Sequence, residues 1–233
     1  MAVALASAGA DLVIADMALD QAEETASKIG KETNVSCLAV RADISLENDV
    51  GQMVQKALER FGKIDILVNN AGIHIGGDFP PEALARKYWD KTLAVNLTGA
   101  FLCCQAVGKH MIERKTGKIV NIASMSGMVV NRLTNRHPLS YSVSKAGVIM
   151  LTKVLAAEWA KYNINVNAIA PTYFKTAIIH PAPNIQAEMI RDIPMGRLGN
   201  PEDLSGTVVY LASAASDFVT GHTILVDGGY TAW

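Results

Sequence analysis

The sequence predicts a doubly wound α/β domain, one parallel sheet with helices on both faces. Three observations carry that prediction. Short β-branched runs alternate with longer stretches of helical periodicity through all 233 residues. The strand-like runs are near-continuously apolar rather than alternating, as parallel strands covered on both faces require. No linker, repeat or composition break divides the chain, so residues 1–233 form one domain.

In chain order, residues 11–16 (DLVIAD), 35–42 (VSCLAVRA) and 64–68 (IDILV) read as strands. Residues 118–123 (KIVNIA), 164–170 (INVNAIA) and 223–226 (TILV) complete the set. Helical spacing of apolar residues falls on 20–29, 46–61, 86–114, 141–162 and 201–212. The first eight residues also read as helical, with no cap before them. Right-handed crossovers put every strand's C-terminal end on one edge of the sheet, where ligands bind in this architecture. Two irregular segments, residues 127–139 and 171–197, follow such ends and are the expected substrate wall and lid.

Composition narrows the function. Lys plus Arg (21) nearly cancels Asp plus Glu (22), which leaves no electrostatic footprint for nucleic acid or an anionic membrane. No apolar run approaches the roughly 18 residues that span a bilayer. Cys37, Cys103 and Cys104 are odd in number and lack metal-ligand spacing, and the five histidines are scattered. Free thiols, no signal peptide and no metal site together predict a cytoplasmic, metal-free protein.

The chemistry concentrates at Tyr141-x-x-x-Lys145, at the start of a helix. Residues four apart share a helix face, so the ammonium can approach the phenol. A charge at about 4 Å in an effective dielectric of about 20 is worth roughly 4 kcal/mol. That equals about three pKa units, enough to turn a phenol into a proton donor and acceptor at neutral pH.

Around that pair stand Asn69-Asn70-Ala71-Gly72 after a strand, Asn96 in VNLTGAF, Ser124 in IVNIASMSG, YSVSKAG and the closing LVDGGYTAW. With these the chain resembles the short-chain dehydrogenase/reductase family along its whole length. The resemblance implies a Rossmann-like domain in which Tyr141 is the general acid/base. Lys145 would lower its pKa and hold the nicotinamide ribose, Ser124 would hydrogen-bond the substrate oxygen, and Asn96 would hold a water behind Lys145. Ser126, two residues on, stays open as an alternative serine. Asp43 and Ile44 resemble the pair flanking adenine, Asn69, Ala71 and Gly72 the adenosine-ribose shelf, and Thr176 the residue meeting the carboxamide. The family's usual Pro-Gly is Pro171-Thr172 here, which puts a side chain at the nicotinamide bend.

Asp16 ends the first strand where the adenosine ribose lies, and no basic residue follows until Lys28. A carboxylate there favours NAD over NADP. The family's first strand and glycine-rich turn have no counterpart in these residues, a shortfall of roughly 20 residues. That strand lies between the strands at 11–16 and 64–68, so the two should fail to pair, and the chain as written should not fold as a normal member. Residues 1–8 match the latter half of the first helix, whose apolar face should lie exposed.

The function expected is NAD-dependent interconversion of a secondary alcohol and a ketone on a sugar, polyol or sugar acid. Asn131, Arg132, Asn135, Arg136 and His137 are candidates to meet that substrate. Two alternatives remain, a 3-oxoacyl thioester reductase and a non-catalytic binding protein or fragment. Relatives' tetramers imply a homotetramer through the two long helices, with Leu93, Leu97, Phe101, Ala146, Met150 and Val154 as apolar stripes.

Overall fold

The computed structural model describes residues 1–76, 79–132, 137–175 and 183–233, without the side chains of residues 183 and 184. In chain order these form α1 (Ala2–Ser7), β1 (Leu12–Asp16), α2 (Leu19–Thr33), β2 (Cys37–Arg41), α3 (Glu47–Phe61) and β3 (Ile66–Asn69). They continue with α4 (Arg86–Leu93), a π-helical turn (Ala94–Gly99), α5 (Ala100–Arg114), β4 (Gly117–Ile122), α6 (Leu139–Trp159) and β5 (Ile164–Pro171). α7 (Pro183–Arg191), α8 (Ser205–Ala212) and β6 (Thr223–Val226) close the chain. Each strand falls within two residues of its predicted run. Helix ends carry ordinary stop signals: Gly62 terminates α3 at φ 74°, a left-handed conformation that glycine adopts without strain.

Two predicted segments differ. The helix expected over 86–114 is interrupted by the π turn, because one extra residue in a turn leaves the apolar periodicity on either side intact. Residues 171–197, expected to be irregular, contain α7, which starts on Pro183, a residue suited to a first helical turn. Four prolines masked a helix whose Met189 is buried.

All pairings are parallel, but they form two sheets, β1-β2 and β3-β4-β5-β6. β1 and β3 share no ladder, as the sequence led one to expect. Helices join what the strands do not. One core packs Val40 and Val50 with Cys104, Val107, Ile119 and Val166 beneath α3, α5 and α6. A second packs Leu12 and Ile29 with Val120, Ile169 and Val208 beneath α1, α2 and α8. The exposed face expected for α1 is not found: Leu5 and Ala6 are buried, and α1 packs on α2 and α8. Among the described residues no helix is long and apolar enough to cross a membrane.

Candidate active site

β4 delivers the first side chain. Its strand ends at Ile122, and Ser124 then caps a 3-10 turn, Met125–Gly127, by accepting a hydrogen bond from Ser126 N at 3.2 Å. That turn presses on α6. A Cβ at Gly127 would meet the backbone of Lys145 and Ala146 at 2.7 Å, so only glycine lets the turn lie there. The approach sets the Ser124 hydroxyl, which donates to Pro171 O at 3.5 Å, against the Tyr141 phenol, whose pKa it lowers. Ser126 Oγ instead faces Met125 Sδ at 3.9 Å. Ser124 is therefore the serine brought to Tyr141.

Lys145 lies one turn further along α6, buried, donating from Nζ to Ile122 O at 2.6 Å. Its Nζ is 5.7 Å from the Tyr141 ring centroid. Burial pushes the Lys145 pKa down to about 8. Burial also raises the half-buried Tyr141 above its ordinary value, offset in part by the neighbouring Ser124 hydroxyl. The expected lowering of the phenol by Lys145 is not found: burial opposes the charged form of both groups and sets the direction of each shift.

Asn96 lies in the π turn, a geometry that turns its side chain out of the regular helical register. Its Oδ1 accepts from Ile73 N at 2.8 Å, and its Nδ2 donates to Ile73 O at 2.9 Å and to Ser144 Oγ at 3.1 Å. Asn96 thereby clamps the strand-end loop 70–76 to α6. Gly72 fits beneath it, where a Cβ would stand 3.4 Å from Asn96 Oδ1 and 3.5 Å from Lys145 Nζ.

The other expected residues divide. Ile44 packs on Gly99 of the π turn, where a Cβ would meet Ile44 Cδ1 at 2.7 Å. Asp43 accepts from Ser45 N and Oγ, bonds that hold its carboxyl below the usual range. Asp16 is exposed at the end of β1, where Oδ1 accepts from Ala18 N at 2.9 Å. Ala71 is exposed beside Gly72. Asn69, expected on the ribose shelf, turns inward: Nδ2 donates to Asn121 Oδ1 at 2.8 Å. Asn121 donates on to Thr152 Oγ1 at 2.9 Å, tying β3 and β4 to α6. This network escaped sequence reasoning, although an asparagine inside KIVNIA was its signal.

Arg41 was also missed; it stands directly across from Asp16 in the β1–β2 register. On the substrate side, Asn131 is buried and donates to Tyr173 Oη, and Arg132 N donates to Tyr230 Oη. Both are engaged within the fold. His137 is exposed, while Asn135, Arg136 and Thr176 lie outside the described residues. A surface depression lined by Glu23, Ala26, Cys37 and Ala39 contains none of these groups.

Residues 1–231 match the family described as enoyl-(acyl carrier protein) reductase. A 2-dehydro-3-deoxy-D-gluconate 5-dehydrogenase of Dickeya dadantii is 42% identical over 236 residues, covering 100% of this chain and 90% of that protein. An NAD-dependent glycerol dehydrogenase of Listeria innocua is 37% identical over 234 residues, 99% of this chain and 88% of that one. Among solved structures, a gluconate 5-dehydrogenase from Burkholderia cenocepacia J2315, in complex with NADP and tartrate, superposes with a TM-score of 0.92 at 37% identity. That likeness covers 99% of this chain and 89% of that one.

Proposed function

The chain belongs to the short-chain dehydrogenase/reductase family, and on that premise we propose that it interconverts a secondary alcohol and a ketone of a sugar, polyol or sugar acid. The observation that carries the proposal is the convergence of Ser124, Tyr141 and Lys145 at the C-terminal end of β4. Tyr141 Oη moves the alcohol proton. Ser124 Oγ donates to the substrate oxygen and stabilises its developing charge. Lys145 holds an ammonium 5.7 Å from the phenol ring centroid, where its charge would oppose the desolvation that raises Tyr141. Asn96 positions the loop at Gly72 and, through Ser144, the helix that carries both.

A nicotinamide dinucleotide fits the residues present at two places. Gly72 leaves backbone open beside Lys145 Nζ, an ammonium with three donors of which Ile122 O takes one. Asp16 offers a carboxylate at the strand end. When bound, the cofactor gives or takes the hydride. Asp16 supports NAD as that cofactor, since its charge repels a 2′-phosphate. The Listeria innocua relative is named for NAD, whereas the Burkholderia cenocepacia structure contains NADP.

The intact constellation favours an enzyme over a binding protein. The exposed imidazole of His74, 5.3 Å from the Tyr141 ring, suits a hydroxylated substrate better than an acyl thioester. A single domain, a homotetramer and a cytoplasmic location complete the reading, with the sequence as their support.

Tyr141→Phe is the deciding variant. Oxidation of a polyol panel with NAD, followed at 340 nm, should fall by about 10²- to 10⁴-fold while the fold is unchanged by circular dichroism. Turnover within threefold of the parent protein would exclude Tyr141 as the acid/base.

A further inference from the structure

We propose that His74 is a specificity-determining residue. Its imidazole takes a hydroxyl on the carbon next to the one that reacts, so that the site selects vicinal diols. The inference rests on the acid/base reading of Tyr141 and names the substrate class that this site takes.

Placement is the first argument. The His74 and Tyr141 rings are 5.3 Å apart between centroids and tilted by 52°. His74 is exposed, so the imidazole borders the phenol on a side open to solvent. Lys145 is buried and Ser124 is buried, so neither presents that open side. A substrate whose reacting oxygen meets Tyr141 and Ser124 brings its adjoining carbon to this border.

Rigidity is the second. The residue before His74 is gripped at both backbone groups by the Asn96 amide, at 2.8 and 2.9 Å. The same amide nitrogen is tied to Ser144 on α6, three residues after Tyr141. The two rings therefore share one anchor, and the imidazole is held relative to the phenol rather than carried on an independent loop.

Chemistry is the third. An imidazole ring nitrogen donates to or accepts from a hydroxyl group. A methylene at that position, as in a 3-oxoacyl chain, offers it nothing.

The test compares butane-2,3-diol with butan-2-ol, which differ by one hydroxyl. The ratio of kcat/KM for the two should favour the diol by about three- to tenfold in the parent protein, the worth of one neutral hydrogen bond. It should collapse towards one in His74→Phe, which keeps a ring against Tyr141, and survive in part in His74→Gln. An unchanged ratio in His74→Phe, or no diol preference in the parent, overturns the inference. A second reading needs no turnover. The His74 ring resonances, assigned by their loss in His74→Gln, should shift with butane-2,3-diol and not with butan-2-ol; equal shifts or none overturn the inference. Active Tyr141→Phe would remove the acid/base reading and leave those shifts in place. An indifferent His74 with inactive Tyr141→Phe would remove only the present inference.

Discussion

Lys145 carries the main electrostatic cost of the site, since burial takes its pKa down to about 8 from about 10.4 in an unfolded chain. Below pH 8 both states bind the proton and the folded chain bears the whole penalty. Between pH 8 and about 10.4 the unfolded state binds more protons, so the stability set by this group rises with pH. Lys145→Met removes the ammonium. Its unfolding free energy relative to the parent's should therefore fall as pH rises from 7 to 10, by about 3 kcal/mol at full titration. Urea midpoints at pH 7 and pH 9.5 measure that trend, and a gap independent of pH would contradict it. On the proposed reading, cofactor choice is decided at the same scale. Asp16 was readable in the sequence, but Arg41 reaches it only through strand register and is 25 residues away. A guanidinium there attracts the 2′-phosphate that the carboxylate repels. Asp16→Asn should raise the kcat/KM for NADPH relative to NADH by about tenfold, roughly 1.4 kcal/mol. Arg41→Ala should lower that ratio; if it leaves the ratio unchanged, Arg41 does not contact the cofactor.

At the level of elements, the strands and the approach of Lys145 to Tyr141 were legible for a physical reason. Buried parallel strands need continuous apolar runs, and Tyr141 and Lys145 need only the spacing of one helical turn. The π turn was not legible, because Ala94–Gly99 adds its residue without disturbing the apolar pattern. Nor was the Asn69–Asn121–Thr152 network, which joins three elements whose mutual register no local pattern records. The long helices also keep apolar residues outside the core: on α6 Met150 is 57% and Val154 52% exposed, and on α5 Phe101 is 41% exposed. Met150 and Val154 are four apart and share one face. Leu97, expected on the stripe with Leu93 and Phe101, is instead half-buried where α6 carries Gly147. We expect Met150→Lys combined with Val154→Lys to shift a homotetramer to a smaller species, with unchanged circular dichroism. Sedimentation velocity checks this, and an unaltered sedimentation coefficient would place any interface elsewhere.

Across the whole molecule, stability is unevenly distributed. β4 and β5 are paired on both sides and almost wholly buried, whereas β1 and β3 are each paired on one side and mostly half-buried. A parallel strand bonds through alternate residues to each neighbour, so half of the amides in β1 and β3 meet no strand partner on their open side. Continuity between the two sheets comes from side chains alone, through the cores beneath α3, α5 and α6 and beneath α1, α2 and α8. Side-chain packing without ladder bonds opens more readily than a paired sheet, because separation breaks no backbone hydrogen bonds. Native-state hydrogen exchange on the 233-residue chain should therefore find two tiers. Amides in β4 and β5 should exchange only by global unfolding, and those of the β1–β2 sheet through a sub-global opening at least about tenfold more frequent. A single tier with one shared opening free energy would mean that the helices alone make the two sheets cooperative.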